Sequence, residues 1–158
     1  MSKINETCYA VCVNYGASLE EMIMLGEYDA CDGSIRNGIF RIKKPSSRAD
    51  VEITLLHFGF EISCGKEAVN RICLEGYRPA TLHELLALGA EYQDLQCEFS
   101  IAALGSISED AFDNCCNVVA YLAGENSRRR VSLARFDFPF SEETRFAVVR
   151  NGDSVTSE

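Results

Sequence analysis

Alternating apolar and polar positions predict strands at both ends of the chain. Residues 8–15 place Tyr9, Val11 and Val13 on one side and smaller or polar residues on the other, which is a strand pattern. Residues 51–58 are rich in β-branched and aromatic side chains, as is typical of a buried strand. Further strands are predicted at 39–42 and, as an antiparallel meander, at 99–104, 118–122, 130–138 and 145–150.

Helical spacing of apolar residues predicts three helices between these strands. Each helix is followed or closed by a glycine, the residue that most readily ends a helix. The predicted helices cover 18–25, 67–75 and 81–89, with Gly26, Gly76 and Gly89 as their stops.

Two helices begin with a capping box, in which a hydroxyl group and a carboxylate three residues later satisfy free backbone N–H groups. Ser18 with Glu21 starts the first helix, and Thr81 with Glu84 starts the third. The residues before Thr81 form a rigid turn, because Pro79 keeps its surroundings extended. His83 is predicted to face solvent.

The order of elements predicts an α+β fold: a strand, short helices and then an antiparallel C-terminal sheet, rather than a doubly wound parallel sheet. A length of 158 residues suits a single domain, 1–158. Within it we expect an N-terminal layer at 1–50, an α+β core at 51–150 and a loose polar tail at 151–158.

Charge is distributed unevenly along the chain. Residues 1–50 carry six basic and seven acidic groups (−1), residues 51–127 three and twelve (−9), and residues 128–158 six and five (+1). An acidic surface is unsuited to a phosphate backbone, which requires Lys and Arg, so direct nucleic-acid binding is not expected. It suits a basic protein partner, and it also serves solubility alone.

The composition indicates neither a metal nor a cofactor. Eight cysteines lack the Cys-x-x-Cys pairs common at zinc sites, so reduced thiols that act as small core residues are expected. No glycine-rich phosphate loop is present. No stretch reaches the length of a signal peptide's apolar region or of a membrane span, which predicts a cytoplasmic location and no membrane partner. The oligomeric state stays open.

The segment from Glu67 to Glu84 resembles the two-helix signature of C-type-lectin-like domains, in the branch related to formylglycine-generating enzymes. An Ala-containing helix, an Arg-Pro-Ala-Thr turn and a Glu-bearing helix follow in the same order, and 145–150 is similar to that branch's final strand. Arg78 stands where the family has Leu, and the chain has no Trp. The resemblance implies a scaffold without the family's calcium, sugar or copper ligands. The turn is also similar to that of small uncharacterised bacterial and phage proteins.

The acidic middle segment supports the first functional hypothesis, a non-enzymatic module that binds a macromolecular partner, in particular a basic protein. A specific version is a phage-type inhibitor of a nucleic-acid-binding protein. The candidate binding residues fall around predicted turns and are Glu91, Asp94, Glu98, Glu109, Asp110 and Asp113.

The alternative hypothesis is an enzyme or small-ligand binder. Cys64 would be its nucleophile and His57 its base, with Glu61 orienting the ring and Arg78 contributing charge. A structural, hydrogen-bonded His57 is the competing interpretation. The basic run 128–130 can bind an anion or pair with the protein's own acids. An oligomeric scaffold is a third hypothesis.

Overall fold

A computed structural model describes residues 5–32, 35, 48–108 and 117–151 of the chain. In that part, eight strands join into one sheet and four helices pack against it. The strands are β1 (Asn5–Asn14), β2 (Ala30–Cys31), β3 (Arg48–His57), β4 (Tyr77–Pro79), β5 (Ile101–Ser108), β6 (Val118–Glu125), β7 (Arg128–Arg135) and β8 (Arg145–Arg150). The helices are α1 (Leu19–Gly26), α2 (Gly65–Leu74), α3 (Leu82–Glu91) and α4 (Leu95–Glu98).

The α+β class is confirmed, but the sheet is mixed, so the prediction of a simply antiparallel C-terminal sheet is wrong. The strand order is β1-β3-β8-β5-β6-β7-β2, and β4 pairs with β8. β5, β6 and β7 form the predicted meander. β8 does not continue it and lies between β3, to which it is antiparallel, and β5, to which it is parallel.

The composition of β8 explains its central position. Residues 146–149 of this strand are all buried, so both of its faces need cover. Ala147 and Val149 enter one hydrophobic core and Phe146 and Val148 the other, since successive side chains of a strand point to opposite faces. An apolar strand of this kind is stable in the middle of a sheet and not at its edge.

Helices cover the two faces of the sheet unequally. α1, α3 and α4 contribute to the core on one face, and we call these three helices the helix layer. α2 contributes Ala68 and Ile72 to the core on the other face. The first fifty residues do not form a separate layer in their described part, because β1 pairs with β3 along ten residues and α1 packs on α3.

Both predicted capping boxes are confirmed. The Ser18 hydroxyl accepts from the Glu21 amide, and the Thr81 hydroxyl accepts from the Glu84 amide, with each Glu side chain reaching back to the cap. Gly76 follows α2 in a left-handed conformation (φ 90°), as a helix stop requires. α3, however, continues through Gly89 to Glu91.

Two predictions about burial are wrong. His83 is only 5% exposed and its Nε2 atom bonds the Ala17 carbonyl, because α3 lies between α1 and the sheet and buries every residue from 82 to 89. The cysteines are not core residues where the structure describes them: Cys31 and Cys64 are partly exposed, and the others, Cys8, Cys12, Cys73 and Cys97, are exposed. Cys8, Cys12, Cys64, Cys73 and Cys97 are free thiols.

Some predictions lie outside the described residues, namely the short strand at 39–42 and the tail beyond residue 151. Over the described ranges, no helix combines the length and apolar character that a membrane span needs.

Candidate functional site

The helix layer has a one-sided charge. Residues 15–32 and 81–100, which contain this layer, its flanking turns and the short strand β2, hold nine carboxylates and no Lys or Arg. α2, on the other face of the sheet, contains Lys66 and Arg71 beside Glu67. The packing of α1 on α3 therefore brings two acidic segments, about 50 residues apart in sequence, into a single acidic surface.

Most carboxylates of this surface are exposed to solvent. Of the candidate residues named from the sequence, Glu91, Asp94 and Glu98 are exposed, at the end of α3 and around α4. Glu109, Asp110 and Asp113 lie outside the described residues. The acidic residues of α1 and its C-terminal turn were missed, although the absence of Lys and Arg from 15–32 was a usable signal; the exposed ones are Glu20, Glu21, Glu27 and Asp29.

An aromatic contact attaches the α3–α4 corner to the outer strand β1. The Tyr9 and Tyr92 rings meet edge to face, with their centroids 5.0 Å apart, and the Tyr92 hydroxyl donates to the Ala10 carbonyl at 2.9 Å. Burial, and after it the Glu98 carboxylate, raises the pKa of Tyr9. Glu98 therefore lies close enough to Tyr9 of β1 to act on it electrostatically, and the Arg145 guanidinium acts on the same hydroxyl in the opposite direction.

A buried arginine holds the end of α1 in place. The Arg129 Nη1 atom donates to the Gly26 carbonyl at 2.7 Å, and Nη2 donates to the Gly89 carbonyl at 2.6 Å. Its guanidinium lies 4.5 Å from the centre of the Tyr28 ring, and the Tyr28 hydroxyl donates to the Leu86 carbonyl. This contact joins β7, α1 and α3 into one rigid unit beneath the acidic surface.

A groove runs along the outer side of α1. It has a volume of about 420 Å³ and is lined by Glu20, Ile23, Met24, Glu27 and Tyr28. Met24 is 74% exposed, and the adjacent Leu25 is 73% exposed. The groove thus combines apolar side chains with two carboxylates.

Glu84 is the buried member of the nine carboxylates. Its Oε1 atom accepts from Arg78 Nη1 and the Thr81 amide, and its Oε2 atom accepts from Arg78 Nη2 and the Tyr15 hydroxyl. Burial alone raises the pKa of Glu84, but the Arg78 guanidinium and the other donors outweigh it, so that the pKa is lowered. Both oxygens of the Glu84 carboxylate therefore accept hydrogen bonds inside the fold, and the Arg78 guanidinium is used in this ion pair.

The structure does not assemble the nucleophile and base of the alternative hypothesis. The His57 Nε2 atom bonds the Glu142 carbonyl at 2.8 Å. Cys64 is the residue before α2, where its carbonyl accepts from the Ala68 amide. Within the described ranges, no hydrogen bond joins His57 to Cys64 or Glu61.

The basic run at the start of β7 divides its members between two faces. Arg129 is buried as described above, whereas Arg128 and Arg130 are exposed. They line a shallow cavity of about 360 Å³ that also contains Asp29 and Glu125, so its charge is mixed.

Among the described residues, no group of three or more His, Cys, Asp and Glu side chains is arranged to hold a metal ion. Comparisons of the chain with family models, with curated proteins and with solved structures gave no match.

Proposed function

We propose that this protein is a non-enzymatic interaction module that binds a basic protein partner through the helix layer. The observation that carries the proposal is the charge of that layer: nine carboxylates without a single Lys or Arg in residues 15–32 and 81–100. Seven of them are exposed, namely Glu20, Glu21, Glu27, Asp29, Glu91, Asp94 and Glu98. They attract a cationic surface and repel an anionic one.

The physics of the layer favours fast, salt-sensitive association. Clustered charge of one sign steers an oppositely charged partner and raises the association rate, and the effect weakens as ionic strength rises. A phosphate backbone is repelled by the same carboxylates, so a nucleic acid is not the partner.

The proposal extends to the ancestry of the scaffold and to the biological role of the protein. A C-type-lectin-like ancestry is compatible with an α+β domain that presents surfaces rather than a reaction centre. A phage-type inhibitor that covers the nucleic-acid channel of a basic protein, in the cytoplasm, is the version that best suits a surface with the charge of a polyanion.

Charge reversal at the α3–α4 corner tests the proposal. One variant carries Glu91→Lys, Asp94→Lys and Glu98→Lys, and a matched control carries Glu61→Lys, Glu75→Lys and Glu142→Lys, all exposed and away from the helix layer. Both change the net charge equally. The probe is poly-lysine of defined length, titrated by calorimetry at several salt concentrations.

The expected result is a loss of affinity of about tenfold or more for the helix-layer variant, with a shallower salt dependence, and a much smaller loss for the control. Equal losses in the two variants would show that only the total charge matters, and the proposal would be abandoned.

A further inference from the structure

We propose that the groove on α1 binds a cationic amphipathic helix of the partner protein. This inference rests on the proposed function, and it specifies which part of the acidic helix layer receives the partner and what the partner presents.

The lining of the groove selects the chemistry of its occupant. Ile23, Met24 and Tyr28 supply an apolar floor and wall, and Glu20 and Glu27 supply a carboxylate at each end. Glu20 lies in the first turn of α1 and Glu27 follows its last residue, so each carboxylate can meet one basic residue of a facing helix. An apolar residue between the two basic residues then meets Met24.

Large apolar side chains of α1 are exposed to solvent, and a bound partner would bury them. Met24 lines the groove and is 74% exposed, and the next residue of α1, Leu25, is 73% exposed, so α1 adds two large apolar side chains to an otherwise acidic surface. Leu74 is 84% exposed at the end of α2 and does not line the groove. Single exposed apolar residues are ordinary, whereas apolar groups gathered in a groove with convergent charges are typical of a binding site.

The groove is also preorganised. Glu27, the residue that caps the C-terminal end of α1, has a left-handed conformation (φ 54°), and its amide donates to the Met24 carbonyl. Arg129 holds the Gly26 carbonyl and stacks on Tyr28, so the wall of the groove is fixed before a partner arrives. A preformed wall lowers the ordering cost of binding.

Other occupants fit the groove less well. A second copy of this chain would bring its own Glu20, Glu21 and Glu27 against the same carboxylates if α1 paired with α1, and like charges at an interface oppose association. An anionic lipid surface or a nucleic acid meets the same repulsion. A helix that carries Lys or Arg on both sides of an apolar stripe satisfies both parts of the lining.

A synthetic peptide of roughly 14 residues, two heptads of Leu and Lys with the Leu residues on one helical face, is the probe. A peptide of identical composition in scrambled order is its control. Calorimetry measures both against the full chain and against Met24→Gln, with Leu74→Gln as the matched variant at an exposed Leu outside the groove. Circular dichroism and urea unfolding establish that both variants stay folded.

We expect Met24→Gln to weaken binding of the ordered peptide about tenfold, because a buried thioether side chain contributes that much or more. Leu74→Gln should leave the affinity unchanged, and the scrambled peptide should bind the full chain more weakly than the ordered one. In the double variant Glu20→Gln, Glu27→Gln, the affinity should fall and depend less on salt.

Three results would contradict the proposal that the groove binds a cationic amphipathic helix. They are no binding of the ordered peptide, equal binding of the ordered and scrambled peptides, or equal affinities of Met24→Gln and Leu74→Gln for the ordered peptide. The poly-lysine titration distinguishes a failure of the groove proposal from a failure of the proposed function. If charge reversal at Glu91, Asp94 and Glu98 still weakens poly-lysine binding, the acidic layer binds cations and only its α1 groove has been misassigned.

Discussion

The Arg78 guanidinium and the Glu84 carboxylate face each other through two parallel hydrogen bonds of 3.0 and 2.8 Å. The Glu84 side chain is 1% exposed and that of Arg78 is 29% exposed, so the pair closes a polar site between β4 and α3 that water barely reaches. Removing one partner of such a pair leaves a buried charge without compensation.

Arg78→Met is therefore expected to lower the free energy of unfolding by about 3 kcal/mol, the low end for a buried pair because Arg78 keeps some contact with solvent. Urea unfolding measures the change. Arg71→Met is the matched control, since Arg71 pairs with Glu67 on the surface of α2 and both side chains are substantially exposed. A loss as small as that of the control would show that the Arg78 pair is not structurally important.

Glu84 also makes stability depend on pH. Its pKa is lowered in the folded protein, so its contribution is complete above the unfolded value of about 4.3 and disappears as the pH falls through the lower, folded pKa. The wild-type chain should lose free energy of unfolding on acidification from about pH 5 to pH 3, and Glu84→Gln should lose less. Urea unfolding at several pH values tests this, and parallel curves for the two proteins would contradict it.

Gly89 is expected to resist replacement although it lies within α3. Alanine normally stabilises a helix relative to glycine by about 1 kcal/mol. A Cβ at position 89 would overlap the Tyr28 hydroxyl and lie 3.0 Å from Leu122 Cδ1, and Tyr28 is held by Arg129 and the Leu86 carbonyl. Gly89→Ala should therefore destabilise the protein by about 1–3 kcal/mol, as overpacking does.

A double-mutant cycle isolates the cause of this effect. Tyr28→Phe removes the hydroxyl that a Cβ at position 89 would overlap, so Gly89→Ala should cost less in the Tyr28→Phe background. An equal cost in both backgrounds would assign the effect to Leu122 or to the helix itself.

Local signals in the sequence predicted the local structure well. Both capping boxes, the strand at the start of the chain, the glycine stop after α2 and three of the four strands of the predicted meander were confirmed, because each depends on neighbours close in sequence. Gly89 was misassigned as a helix end, since its role is to admit the ring of Tyr28, a residue 61 positions away in the chain. His83 was placed in solvent because its burial depends on α1, which packs over α3.

Long-range pairing limited the rest of the prediction. The apolar run from Phe146 to Val149 favours a central strand. The run does not reveal that its neighbours are β3 and β5, because that depends on long-range pairing. The candidate binding surface was likewise predicted only where the signal was local in sequence. Glu91, Asp94 and Glu98 were identified from the charge of one segment, whereas α1 joined them only through the tertiary packing of α1 on α3.

The position of β8 has a consequence for how the protein forms in a cell. The strands on both sides of β8 leave the ribosome before it does, yet β3 and β5 have no direct pairing to hold them together until β8 arrives. The nascent chain therefore carries two unfinished sheet halves with open edges, joined late by pairs of residues that are 44 to 96 positions apart. Such long-range contacts slow folding, and they leave the edges of β3 and β5 open to mispairing until β8 has been synthesised.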